Sequence, residues 1–120
     1  MTNPDPKSTT PTMVRAPVGA TVLEIDWADG HTSVLPNGFM RGYCPCAGCQ
    51  GHSGEIKFIP GQNSEIASIE EVGAYALQFT WGDGHGSGIY TFRFLRRLGE
   101  LRVAEGVADG PRLPIPRSVT

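Results

Sequence analysis

The strongest constraint on this chain is that it writes one short unit twice. Trp27-Ala28-Asp29-Gly30-His31 and Trp81-Gly82-Asp83-Gly84-His85 share the pattern Trp-x-Asp-Gly-His, 54 residues apart. Asp-Gly between two alternating runs is a strong short-range hairpin signal, because glycine reaches the backbone angles of a tight turn. In the first copy Thr21 to Trp27 (TVLEIDW) alternates and is rich in β-formers, and Thr32 to Leu35 returns. In the second, Ala74 to Trp81 runs out and Ser87 to Thr91 returns. Pro36 ends the first return, and Phe39-Met40-Arg41 predicts one helical turn. With one inserted residue, Phe94-Leu95-Arg96 matches that turn, inside a short helix over 94–98. A lone hairpin is marginal in water, so the two copies are expected to pack together.

Between the copies, Gln50 to Ser64 holds four glycines or prolines around the apolar patch Ile56 to Ile59, which predicts a loop with a small strand of its own. Glu65 to Val72 has helix-forming alanine and glutamates, but Gly73 interrupts it, and a strand leading into the next is the preferred reading. The fold class is therefore α+β: one small, mainly antiparallel β domain with two related hairpins, short helices and a cysteine turn.

The two ends read differently. Residues 1–17 hold four prolines and few apolar side chains, too few to offset the entropy of ordering them. Residues 105–120 carry Gly106, Gly110 and three prolines. The expectation is a disordered tail over 1–17, a domain over 18–104 and a flexible tail over 105–120. A core of that size gains from a metal staple.

Net charge is −2 with a pI near 5.9, which gives no basic footprint for nucleic acid. No apolar run is long enough to span a bilayer, and the first residues lack the apolar core of a secretory signal. The chain is expected in the cytoplasm, without nucleic acid or membrane as partner, where thiols stay reduced. Arg96 and Arg97 are expected to flank a solvated helix face. Phe92 and Phe94 cannot both share one face with Leu95 and Leu98, so one is expected to be exposed as a contact surface. Asp29 and Asp83 read as turn formers rather than catalytic acids.

Cys44-Pro45-Cys46-Ala47-Gly48-Cys49 puts three thiols within six residues. Three cysteines cannot all pair within one chain, and C-x-C with C-x-x-C lets a tight turn aim every sulfur at one point. Structural zinc takes four tetrahedral ligands, commonly three cysteines and a histidine. There are only three histidines: His31 and His85 hold equivalent hairpin positions, and His52 follows the cysteines closely. Spacing alone does not separate them.

Trp27 to His31, Met40-Arg41 before Cys44 to Cys49, Val72-Gly73 with Tyr75-Ala76, and Trp81 to His85 with Gly88-Ile89-Tyr90 together carry a resemblance. From about Leu23 to Leu98 the chain resembles the gamma-butyrobetaine hydroxylase-like N-terminal domain family. That module also occurs as small free-standing bacterial proteins of unknown function, the DUF971 type. The resemblance implies that Cys44, Cys46, Cys49 and His85 bind zinc. Phe39 stands where the family more often has Trp, which touches local packing and leaves the ligands intact.

The same resemblance bounds the function. In full-length hydroxylases the oxygenase iron lies in a separate catalytic domain, and that chemistry needs two histidines and a carboxylate. No His-x-Asp or His-x-Glu occurs in this chain. It is expected not to be an enzyme, but a zinc-binding accessory or protein-interaction module with an unidentified protein partner. A self-pairing edge strand would make it a homodimer. One alternative is iron–sulfur cluster handling, since a similar module occurs fused to Mrp-type carrier ATPases. The other is a thiol-redox enzyme using Cys46-Ala47-Gly48-Cys49, against which Cys44 and the β-rich surroundings argue.

Overall fold

The structure is a computed structural model, and it describes residues 6–17, 19–50, 54–86, 88–105 and 115–116. It is an α+β fold with two three-stranded antiparallel sheets. The first is ordered β1 (Pro11–Arg15), β2 (Val22–Trp27), β3 (Thr32–Pro36), followed by helix α1 (Asn37–Gly42) and a four-residue α2 (Ala47–Gln50). A two-residue strand β4 (Glu55–Ile56) precedes the second sheet, ordered β5 (Ile66–Val72), β6 (Ala76–Trp81), β7 (Ile89–Thr91). Helix α3 (Phe92–Glu105) follows, and β8 (Ile115–Pro116) pairs antiparallel with β4.

The repeat legible as two hairpins is a unit of three strands and a helix. Trp27 N–H donates to His31 O at 2.8 Å, and Trp81 N–H to His85 O at 2.8 Å. Gly30 and Gly84 both stand at φ +89°, a region open to glycine and strained for other residues. The Asp29 carboxylate accepts the His31 N–H, and the Asp83 carboxylate accepts the His85 N–H. Both aspartates are thus turn formers. The match extends outward: Pro11 pairs with Trp27 and Ile66 with Trp81, and each outer strand has its irregularity directly after that residue. Both helices also start alike, with Asn37 N–H on Thr21 O and Phe92 N–H on Tyr75 O.

Strand alternation supplies the core. Leu23, Ile25 and Trp27 of β2, and Leu77, Phe79 and Trp81 of β6, face inward. They share one cluster with Leu35, Phe39, Met40, Tyr90, Phe94, Leu95 and Leu98. Helix α3 lies between the two units. The Thr91 hydroxyl caps its N-terminus by accepting the Phe94 N–H at 3.0 Å. Phe94 stacks on Tyr90 of the second unit, while Phe92 meets the edge of Trp27 in the first. A Cβ at Gly99 would stand 2.8 Å from Ser33 Oγ, so a glycine there lets the helix lie close on β3.

Three expectations are corrected. Both Phe92 and Phe94 are buried, because a helix held between two units needs two apolar sides. The helix expected over 94–98 runs from Phe92 to Glu105. Arg96 does not flank a solvated face: it pairs with Asp29 at 3.0 Å, donates to Ser8 O and lies over the Trp27 ring.

Both ends carry secondary structure. Residues 6–9 form a 3-10 turn and 11–15 a strand. The segment leaves Met13 and Val14 exposed rather than burying them, but β2 offers it a backbone ladder. Arg15 grips Asp26 with both terminal nitrogens and Glu24 with Nε. At the other end Ile115 is buried and built into the core through β4. Most of the rest of the expected C-terminal tail lies outside the described residues. No helix among the described residues is long and apolar enough to cross a membrane.

Candidate metal centre

The first unit delivers the cysteines. Helix α1 closes at Gly42, and Cys44 N–H bonds back to Arg41 O, turning the chain so that Cys44 points inward, fully buried. Cys46 O then accepts the N–H groups of Cys49 and Gln50, which is the single turn of α2. The second unit delivers the histidine, from the turn between β6 and β7.

His85 Nε2 lies 3.4 Å from Cys44 Sγ, 3.5 Å from Cys46 Sγ and 3.6 Å from Cys49 Sγ. All four ligand atoms lie within 4.8 Å of one another. These are the dimensions of one ion's coordination sphere. A tetrahedral centre with metal–sulfur bonds of about 2.3 Å and a metal–nitrogen bond of about 2.0 Å has S···N edges of about 3.5 Å. The residues present therefore fit a metal. His31 stays in the equivalent first turn, exposed, and is not part of the cluster. His52 lies outside the described residues.

Several residues support the site in roles that sequence reasoning did not assign, although Gly88 and Tyr90 were among those carrying the resemblance. Gly88 lets the second hairpin approach, since a Cβ there would stand 2.7 Å from Cys44 Sγ. Tyr90, fully buried, donates its hydroxyl to Met40 O at 2.7 Å and so ties β7 to the helix preceding the cysteines. Gln50 donates to Cys44 O and Lys57 O while its amide oxygen accepts the Lys57 N–H, stapling the cysteine turn to the segment after it. The only available signal for Gln50 was a polar residue next to the cysteine cluster.

Without an ion the thiols behave unequally. Burial pushes the Cys44 thiol up to about 12 from 9.0, and negative charge on Cys46 and Cys49 adds to this. Burial also acts upward on Cys46, but hydrogen bonds from Cys49 and Cys44 outweigh it and leave that thiol lowered. Burial holds the Tyr90 hydroxyl well above 10.0. A sign follows for the metal-free chain. Between about pH 9 and about pH 12 the folded state keeps the Cys44 proton that the unfolded state has lost, so stability falls as pH rises through that window. Tyr90 acts in the same direction, whereas Cys46 acts only below it. Urea midpoints across this range, taken in excess chelator, check the expected decline. A metal-loaded chain has already given up its thiol protons and should lack that slope.

The chain is thus a small α+β domain whose two related halves meet at three thiols and one imidazole. Residues 14–96 match the family model described as gamma-butyrobetaine hydroxylase-like, N-terminal, and the chain belongs to that family. A crystal structure of a protein of unknown function from Acidithiobacillus ferrooxidans, of the DUF971 family, is 36% identical. The match covers 79% of this chain and 98% of that one, with a TM-score of 0.65. Two solution NMR structures also share the fold. One is 27% identical, covering 88% and 90% of the two chains at TM-score 0.59. The other is 26% identical, covering 78% and 75% at TM-score 0.58. No curated protein matches the chain.

Proposed function

We propose that this chain is a zinc-binding accessory module of the cytoplasm, which acts by presenting its folded surface to a protein partner and has no oxygenase activity of its own. The observation that carries the reading is the closed donor set: Cys44, Cys46, Cys49 and His85 supply four ligand atoms at tetrahedral spacing. Catalytic zinc keeps one position open for water or substrate, and structural zinc does not. Three thiolates and one imidazole suit zinc over oxygen-preferring cations. The ion would hold the β6–β7 turn against α2, making the two halves one rigid surface.

A two-iron cluster divides its ligands between two irons and sets the pairs further apart, so the compact donor set favours a single ion over cluster handling. Metal content per chain, on protein purified without added metal, tests the proposal together with the absorption spectrum. About one zinc with no visible absorption is the expected result. Iron with a charge-transfer band would replace the reading by cluster handling. A metal-free chain that turns over a disulfide substrate would replace it by a thiol-redox enzyme.

A further inference from the structure

Arg41 is 4% exposed, and among the described residues no carboxylate pairs with it. Its Nη1 points at Cys49 Sγ at 3.6 Å, its Nη2 donates to Gln62 Oε1 at 3.3 Å, and its Nε has no partner among the described residues. A guanidinium cannot shed its proton, and a buried cation without a counter-charge costs several kcal/mol. Something at this place must therefore carry negative charge. The residue is also poorly placed for a merely apolar role, since its terminal nitrogens spend their hydrogen bonds on a sulfur and an amide.

Resting on the metal-site reading above, we infer that Arg41 is the counter-ion of a net-anionic metal–thiolate centre, donating an N–H to the Cys49 thiolate. A divalent ion with three thiolates and a neutral imidazole carries one net negative charge, and Arg41 offsets it. The N–H also draws electron density from one sulfur, as partners of metal ligands do elsewhere. Arg41 is thus a positioning residue: it touches the ligand, not the ion. Helix α1 holds it in place, since Phe39, Met40 and Gly42 beside it are buried with it. Gln62 orients the other arm of the fork.

The test uses the full chain and Co2+ as a spectroscopic probe, with Zn2+ affinity from chelator competition. Arg41→Met should weaken Zn2+ binding by about 10- to 100-fold, the range found for lost partners of metal ligands. It should also move the thiolate-to-cobalt charge-transfer band to lower energy, because the sulfur loses its donor. Arg41→Lys, which keeps the charge, should recover most of the affinity. Unchanged affinity and band in Arg41→Met overturn the inference. If that variant does not fold, Gln62→Ala is read instead, since Gln62 is exposed and its loss spares the core. A smaller band movement in the same direction supports the inference, and none overturns it. A wild-type chain that takes up no Co2+ would instead sink the metal-site reading itself.

Discussion

Replacing His85 with alanine is expected to abolish stoichiometric zinc binding and to strip the zinc-loaded chain of most of its stability, whereas His31→Ala should do neither. The two histidines follow the same Asp-Gly turn, with the same backbone bonds to a tryptophan and an aspartate. They differ in what their rings face. His85 Nε2 meets three sulfurs within 3.6 Å, and the His31 side chain is exposed. Structural zinc in small peptides contributes of order 10 kcal/mol, comparable with the whole stability of a domain this size. His85 is the ligand that the second half supplies among the described residues, and losing it leaves the ion on one turn of chain, unable to join the halves. A surface substitution such as His31→Ala typically stays within about 0.5 kcal/mol. Zinc content and thermal melts of both variants check the contrast, and equal behaviour of the pair would remove His85 from the site.

Phe79→Ala should be nearly as damaging by a route that does not depend on metal. Phe79 is fully buried at the middle of β6, stacked with Trp81 at 5.8 Å and edge-on to Tyr90 at 5.1 Å. Tyr90 in turn stacks on Phe94 of α3. Truncating a core phenylalanine costs about 3–5 kcal/mol, and each lost aromatic pair adds about 0.5–1.5 kcal/mol. For a domain this small, that lowers Tm by more than about 12 °C. Calorimetry of the metal-free chain isolates the effect. A drop of similar size in both metal-free and zinc-loaded protein would show the packing and the site acting independently. A larger drop in the loaded form would show that Tyr90, once unsupported, no longer holds Met40 O and the cysteine turn behind it.

Short-range chemistry made much of the fold legible. Alternation over Val22–Trp27 and Ala76–Trp81 assigns inward and outward faces, and two Asp-Gly pairs place the turns between residues that pair across them. Glu65 to Val72 reads as a strand despite its helix-forming residues, because Gly73 interrupts it, and β5 occupies Ile66–Val72. What alternation could not show were partners distant in sequence. Pro11–Arg15 buries little of its apolar side chains, and its order comes from the β2 edge and from Arg15 reaching two carboxylates there. Arg96 looked solvated because its partners, Asp29 and Ser8, lie 67 and 88 residues away. For the same reason one of Phe92 and Phe94 reads as surplus to the helix face, whereas Phe92 finds its partner in the tryptophan of the other unit.

The two hairpins, their turn residues, the inward-facing strand positions and the three thiols gathered within six residues can all be read along the chain. Each of these follows from interactions between residues that are close along the chain. Which histidine meets those thiols is not written in local chemistry: the resemblance implies His85, and long-range packing is what brings its ring to the sulfurs. By local chemistry His31 and His85 are equivalent, and their separation arises where the two units differ. In the second unit the helix runs on as the long α3, whose Arg96 pairs with Asp29 in the first turn. In the first unit the helix breaks at Gly42 into the cysteine turn, against which the second hairpin packs through the space left by Gly88. That asymmetry is a matter of long-range packing, which no spacing of residues along the chain encodes.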